Sequence, residues 1–405
     1  MEWTPIIDGS NAAKYRRKLE EISHVLQMET PNLERMGLMG GKVGIALFFF
    51  YYAQLTAEEK YHDFAFRILS DVVDAMDGFY FNTFAKGQAG VGWVIEHLVE
   101  NEFMEADTGD VLEYLDRFLY EKMAAELQTG NYDLLHGAVG YGVYFLNRLK
   151  KNKTNQYLQS FVNGLEKIAQ KEKNGTVKWK TTINQQKGII GVNLGLIHGT
   201  AGIIAALSKI YEQGIHKDKA WALLKGAVNY LLNQASDPRK SGFCFPVWIG
   251  DRMSPTGGGL SLSSGDLSIA LALWQTSLAA QNDRWQEKSI DTALHTVKNT
   301  GLSENFIRDG ALTIGTAGIA HAYNRMYHYT GRQPFKDSAL YWFEETLKMA
   351  NHPDGFAGFK AWRGIRVNRR DKEFGLVEGI AGIGLSLISA LSAIEPKWDR
   401  SLLLS

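Results

Sequence analysis

The sequence predicts an all-α fold, an α/α toroid of about seven inner and seven outer helices built as one domain over residues 1–405. Three observations carry that prediction. A glycine turn of the form x-G-x-x-G recurs seven times, each copy opens directly into an apolar run, and amphipathic helical stretches separate the copies. The turns fall at Gly41 and Gly44, Gly87 and Gly90, Gly137 and Gly140, Gly199 and Gly202, Gly265 and Ser268, Gly315 and Gly318, and Gly379 and Gly382. Their spacing of roughly 45 to 65 residues is that of one supersecondary unit repeated.

The apolar runs define the inner helices, predicted over 45–54, 93–99, 144–149, 203–211, 269–278, 319–329 and 385–394. A helix apolar on most faces lies inside a structure rather than on its surface. The stretches at 59–76, 108–126, 155–171, 217–234, 285–300 and 334–351 interleave charges with Leu, Ile, Phe and Tyr and read as outer helices. Glycine at each inner start is expected to supply unusual φ values or close backbone approach. Three longer connections break the regularity. The first, 171–193, contains a hairpin signal over 174–181; the others, 236–263 and 351–374, are long enough to lid a cavity.

Composition excludes several functions. Lys plus Arg and Asp plus Glu both number 44, so the net charge is zero and nucleic acid is not an expected partner. Cys244 is the lone cysteine, which forbids an intrachain disulfide. The first residues do not read as a signal peptide, and the most apolar stretch, 43–55, is too short for a membrane span of about 20 residues. A cytoplasmic protein without a transmembrane segment is expected.

Chemistry is expected from the residue just ahead of each turn glycine, which can project into a central cavity. That column reads Gly40, Lys86, His136, His198, Ser264, Ile314 and Glu378. With Asp133 close to His136, two imidazoles and a carboxylate fall at neighbouring inner-helix starts and form candidate acid/base equipment, because imidazole exchanges protons near neutral pH. The same histidines also suit a structural role, as caps or cross-turn hydrogen-bond partners. His321, inside an apolar helix, reads as a core histidine, and Cys244 between two phenylalanines as a small buried hydrophobe.

The chain resembles the lanthionine synthetase C family along nearly its whole length. The resemblance is carried by Asn193-Leu194-Gly195-Leu196-Ile197-His198-Gly199-Thr200-Ala201-Gly202, by Gly315-Thr316-Ala317-Gly318-Ile319-Ala320-His321 and by Glu378-Gly379-Ile380-Ala381-Gly382. It implies the same α/α toroid. It also implies a cyclase chemistry in which zinc, held by two cysteines and a histidine, binds a peptide thiolate that adds to a dehydroamino acid.

At the matching ligand positions this chain carries Ser263, Thr313 and Ile314. Hydroxyls are poor zinc ligands at neutral pH and isoleucine offers no lone pair, so the resemblance implies a member without the family's zinc and with no cofactor. Asp133 and His198 match the family's acid/base pair, and His136 stands where many relatives carry glutamate. The family arginine falls on Gly259, which leaves Arg252 or Arg363 to enter from a loop; with Glu378 and Trp248, Arg252 is a candidate substrate contact. His136, His198 and a carboxylate also form a donor set that suits zinc or iron, so a different metal site stays open.

Three functions are consistent with these residues. The first is a zinc-free peptide-binding or scaffolding subunit, or inactive cyclase, in modification of a ribosomally made lanthipeptide-type peptide. Its partners would be the precursor or modified peptide and a dehydratase or other peptide-modifying enzyme. The second is a metal-independent enzyme adding a nucleophile to dehydroamino acids by acid/base catalysis through Asp133, His198 and His136. The third is a carbohydrate-active enzyme using carboxylates drawn from Asp133, Asp251, Asp266, Asp309 and Glu378.

Overall fold

The structure, a computed structural model, describes residues 2–78, 81–149, 153–184, 188–250, 254–364 and 367–405. In chain order its helices are α1 (Gly9–Glu29), α2 (Lys42–Thr56), α3 (Glu59–Asp74), α4 (Gln88–Glu100), α5 (Thr108–Val111), α6 (Glu113–Thr129), α7 (Ala138–Asn147) and α8 (Thr154–Ile168). They continue with α9 (Thr200–Glu212), α10 (Lys217–Asn233), α11 (Pro238–Ser241), α12 (Asp266–Ala280), α13 (Asp283–Thr296), α14 (Thr316–Thr330), α15 (Gln333–Lys348) and α16 (Ile380–Leu391). Each glycine turn ends in α2, α4, α7, α9, α12, α14 or α16, which begins at the residue immediately after the first turn glycine. Contacts divide the chain into two compact units.

The first unit comprises Met1–Phe81, Ala85–Val94 and Thr300–Trp398. Within it α2 packs on α3 and α16, α14 on α15 and α16, and α1 on α16. Helix α16 is buried at every residue and α2 from Val43 to Ala53, as an element apolar all round requires. The partners α3 and α15 bury one side each, for example Ala65, Ile68, Leu69 and Val72 of α3. Helix α1 was not expected from the repeat because it precedes the first glycine turn. Its stripe of Tyr15, Leu19, Ile22 and Leu26 nevertheless has helical spacing and is buried. His321 is fully buried, its Nδ1 3.1 Å from Ser389 Oγ, so it is a core histidine as expected.

The second unit comprises Asn82–Phe84, Ile95–Asn299 and Asp399–Ser405. Here α12 packs on α13 and α9, α9 also on α10 and α7, and α7 on α6 and α8. The predicted stretch 108–126 is two helices, α5 and α6, and the end of 155–171 leaves the helix at Ala169 to become strand β1 (Gln170–Lys171). That strand pairs with β2 (Val177–Lys178) as the hairpin signal predicts. The connection then adds β3 (Thr181–Asn184) and β4 (Ile189–Asn193), and β4 pairs with β5 (Trp248–Ile249). In the first unit β6 (Ala361–Trp362) and β7 (Arg370–Asp371) form a further hairpin.

Close approach, and not unusual φ, explains the turn glycines. Gly41, Gly137, Gly199, Gly315 and Gly379 cap their helices with negative, extended φ, which any residue can adopt. None uses a side-chain cap; instead the first helical N–H reaches back seven residues to a carbonyl, from Lys42 to Arg35, Ala138 to Asn131, Thr316 to Asp309 and Ile380 to Glu373. This backbone ring satisfies donors that a helix start otherwise leaves orphaned. It also leaves no volume for side chains: a Cβ on Gly44, Gly140, Gly202 or Gly382 would run into the carbonyl oxygen of Leu38, Leu134, Leu196 or Leu376.

Successive turns are also hydrogen-bonded to each other through backbone. In the second unit Leu134 N–H donates to Ile197 O at 3.1 Å and Leu196 N–H to Ser263 O at 3.0 Å. In the first, Thr313 N–H donates to Val377 O at 3.1 Å, Val377 N–H to Met39 O at 3.2 Å and Met39 N–H to Ala85 O at 3.0 Å. The residues ahead of the glycines are thereby held in a fixed register within each unit.

Candidate functional site

In the second unit the turn before α7 and the turn before α9 bring Asp133 against His198. Asp133 Oδ1 accepts the N–H groups of Leu135 and His136, both at 2.8 Å, which fixes the carboxylate against its own turn. Its Oδ2 lies 2.5 Å from His198 Nδ1. Burial would raise the Asp133 pKa, but the His198 contact and the two backbone N–H groups outweigh it and hold the carboxyl below its ordinary value. The carboxylate therefore stays ionised and orients the imidazole, leaving Nε2 without a protein partner among the described residues. The His198 side chain is 47% exposed, so that nitrogen can exchange protons with a bound molecule.

His136 is exposed beside this pair, and its backbone serves the turn: the N–H donates to Asp133 Oδ1 and the carbonyl accepts Asn131 Nδ2 at 3.1 Å. Trp248 is in register with Asn193, whose Oδ1 accepts Gly195 N–H at 2.7 Å in the loop that carries His198. A half-buried indole therefore sits on the strand backing the His198 turn. Arg252 and Asp251 lie outside the described residues.

Glu378 belongs to the first unit. It is paired with Arg363, which also holds Glu373 and, at 2.9 Å, Asp371; Glu373 in turn accepts Arg35 at 2.6 Å. The Glu378 carboxylate is thus engaged by a guanidinium of the loop that carries β6 and β7. Sequence reasoning missed this network, since Arg35, Glu373 and Asp371 lie outside the turn column. One signal was available: Glu373 stands six residues ahead of Gly379, as Asn131 does ahead of Gly137, Asn193 ahead of Gly199 and Asp309 ahead of Gly315.

Two of the carboxylates considered for a carbohydrate enzyme, Asp266 and Asp309, are committed to backbone N–H groups. Asp266 Oδ2 and Oδ1 accept Cys244 and Phe245 N–H at 2.7 and 2.9 Å, and burial raises its pKa to about 6. Asp309 accepts Ala311 and Trp362 N–H at 3.0 and 2.7 Å and is likewise raised by burial. Both hold loops in place. The Cys244 thiol is pushed up to about 12, first by burial and then by Asp266, so it is neither a thiolate nucleophile nor a ready metal ligand.

The residues that the resemblance places at zinc-ligand positions, Ser263, Thr313 and Ile314, offer donors poorly suited to the ion. In the first unit Thr313 Oγ1 donates to Val377 O at 3.1 Å, which engages its hydroxyl, and Ile314 offers no donor atom. In the second unit Ser263 offers only a neutral hydroxyl, and its carbonyl accepts Leu196 N–H. Among the described residues no three His, Cys, Asp or Glu side chains converge to hold a metal, and that includes His136 and His198 with Asp133. Among the described residues no helix is long and apolar enough to cross a membrane.

A family model described as "Lanthionine synthetase C-like protein" matches residues 33–403. No curated protein sequence matches the chain. Among solved structures it is similar to nisin cyclase, with a TM-score of 0.77 and 17% identity over 96% of this chain and 98% of that one. It is also similar to the cellobiose 2-epimerase from Bacillus thermoamylovorans B4167, with a TM-score of 0.50 and 11% identity over 93% of this chain and 98% of that one. At such identities these likenesses establish the fold alone, and the fold is the all-α, α/α toroid that the glycine repeat predicts.

Proposed function

We propose, on the premise that the chain belongs to the lanthionine synthetase C-like family, that it acts in modification of a ribosomally made, lanthipeptide-type peptide as a zinc-free, peptide-binding subunit. The observation that carries this reading is the donor set Ser263, Thr313 and Ile314, in which thiolate and imidazole are replaced by two hydroxyls and an alkyl group. Without the metal there is no thiolate anchor, so peptide affinity has to come from the surface around the turns. The precursor or modified peptide is the expected ligand, a dehydratase or other modifying enzyme the expected partner, and residues 1–405 the working domain. Full-length protein is expected to retain precursor peptide in a pull-down with that enzyme. Absence of affinity for any precursor, dehydrated or not, would overturn the reading.

The hydrogen-bonded Asp133–His198 pair supports a second reading, metal-independent addition of a peptide thiol to a dehydroamino acid. His198 Nε2 would take the thiol proton as sulfur bonds to the alkene β-carbon, and the α-carbon would regain a proton from the imidazolium. Asp133 would hold Nδ1–H throughout. The product is an isomer of the reactant, so closure is read as loss of thiol that an alkylating reagent can trap. If this reading holds, His198→Ala lowers the rate by about 100-fold or more, the usual worth of a positioned acid/base group, with peptide affinity unchanged. Equal closure by wild type and variant would remove this reading and leave the binding role.

A further inference from the structure

We infer that a basic groove beside the β6–β7 hairpin of the first unit binds the carboxylate side chains of an extended, acidic peptide segment. The groove has a volume of about 770 Å³ and is lined by Arg308, Lys360, Trp362, Asn368, Arg369 and Arg370. Among the described residues that line the groove, four of the six side chains are cations and none is a carboxylate.

Local acids leave part of that charge unbalanced. Arg369 is paired with Asp371, but the same carboxylate also accepts Arg363, and Lys360 is paired with Asp354, whose side chain is 70% exposed. Among the described residues neither Arg308 nor Arg370 has a carboxylate bonded to it. Arg370 Nη1 donates to Arg308 O at 2.6 Å and Arg308 Nη1 to Ile307 O at 3.4 Å, so each guanidinium keeps further N–H donors. The neighbouring acid, Asp309, is buried, with each oxygen already accepting a backbone N–H.

The form of the groove favours a peptide. It is open to solvent and lined along the hairpin by residues from both of its strands, Trp362 of β6 and Arg370 of β7. Guanidinium forks match carboxylate geometry. Trp362 adds an apolar face, and Asn368 supplies a donor and an acceptor suited to a peptide bond. A net charge of zero for the whole chain argues against a nucleic-acid ligand. The peptide class rests on the functional reading above; the carboxylate chemistry rests on the groove itself.

The test is fluorescence anisotropy of the full chain with a short labelled peptide of alternating Glu and Gly, at low and at physiological salt. The acidic peptide is expected to bind, to weaken as salt rises, and to lose about three- to tenfold affinity with Arg308→Gln or Arg369→Gln, equivalent to loss of one charge-assisted contact. The melting temperature of both variants should match wild type. Equal binding of a Gln/Gly peptide, unchanged affinity in both variants, or tighter binding of inorganic phosphate or a single-stranded oligonucleotide would each overturn the inference. If precursor peptide binds while the acidic probe does not, the groove assignment falls alone. If the probe binds with the expected variant losses and no precursor does, the groove stands and the functional reading falls.

Discussion

Gly382→Ala is expected to destabilise the protein by about 3 kcal/mol or more, although Ala is favoured over Gly within a helix by about 1 kcal/mol. The reversal comes from the turn. A Cβ at Gly382 would overlap the carbonyl oxygen of Leu376 and approach its carbonyl carbon, and Leu312 Cβ stands 3.4 Å away on the other side. The obstruction is backbone within a hydrogen-bonded ring: Ile380 N–H reaches Glu373 O, Ala381 N–H reaches Phe374 O and Gly382 N–H reaches Gly375 O. Relief requires breaking that ring or withdrawing α16, which is buried at every residue, and overpacking of this kind has no flexible side chain to absorb it. Gly40→Ala is the control, because its Cβ would meet only Arg35 Nη1 at 3.9 Å. Urea unfolding should show a large loss for Gly382→Ala and near wild-type stability for Gly40→Ala; equal stability of the two would refute close approach as the reason for the repeat.

Arg148→Met should cost about 3–5 kcal/mol, the usual penalty for leaving buried charges without their partner. Arg148 closes α7, and its side chain is wholly buried. Nε and Nη2 donate to the two oxygens of Asp116 on α6 at 2.9 and 2.6 Å, and Nη1 donates to Glu96 of α4 at 2.7 Å and to Thr108 O of α5 at 2.9 Å. Tyr144 adds its hydroxyl to Asp116 at 2.5 Å. One guanidinium thus joins four helices. Methionine fills much of the volume but strands two carboxylates in the interior, where burial favours the protonated form. The sign of the pH dependence follows. Groups that protonate more readily in the folded than in the unfolded variant make the deficit largest near neutral pH and smaller as pH falls. A deficit below about 1 kcal/mol at neutral pH would mean that the two acids do not depend on Arg148.

Much of this architecture was legible because two periods coincide in the sequence. The glycine pairs mark backbone that has no room for Cβ, and the apolar runs behind them mark helices buried on all sides; both are local consequences of packing. Where the period is absent the reading failed. Helix α1 precedes the first turn, and β5 depends on pairing with β4, a segment about 60 residues away, which no local pattern records. At the site, Asp133 and His198 were legible together because both stand at glycine turns that open neighbouring inner helices and both match the acid/base pair that the family resemblance implies. The engagement of Glu378 by Arg363 was not, since it depends on the path of the loop carrying β6 and β7. Asp266 and Asp309 looked like chemistry from residue type alone; their carboxylates are spent on backbone N–H groups that only folding brings within reach.

The most direct measurement is the metal content of full-length protein purified without a histidine tag, with precursor-peptide affinity measured before and after chelation. Zinc far below one ion per chain and an affinity unchanged by chelator are expected from Ser263, Thr313 and Ile314. One tightly held zinc per chain, or loss of peptide binding when it is removed, would contradict the proposed zinc-free role and favour a metal-dependent one.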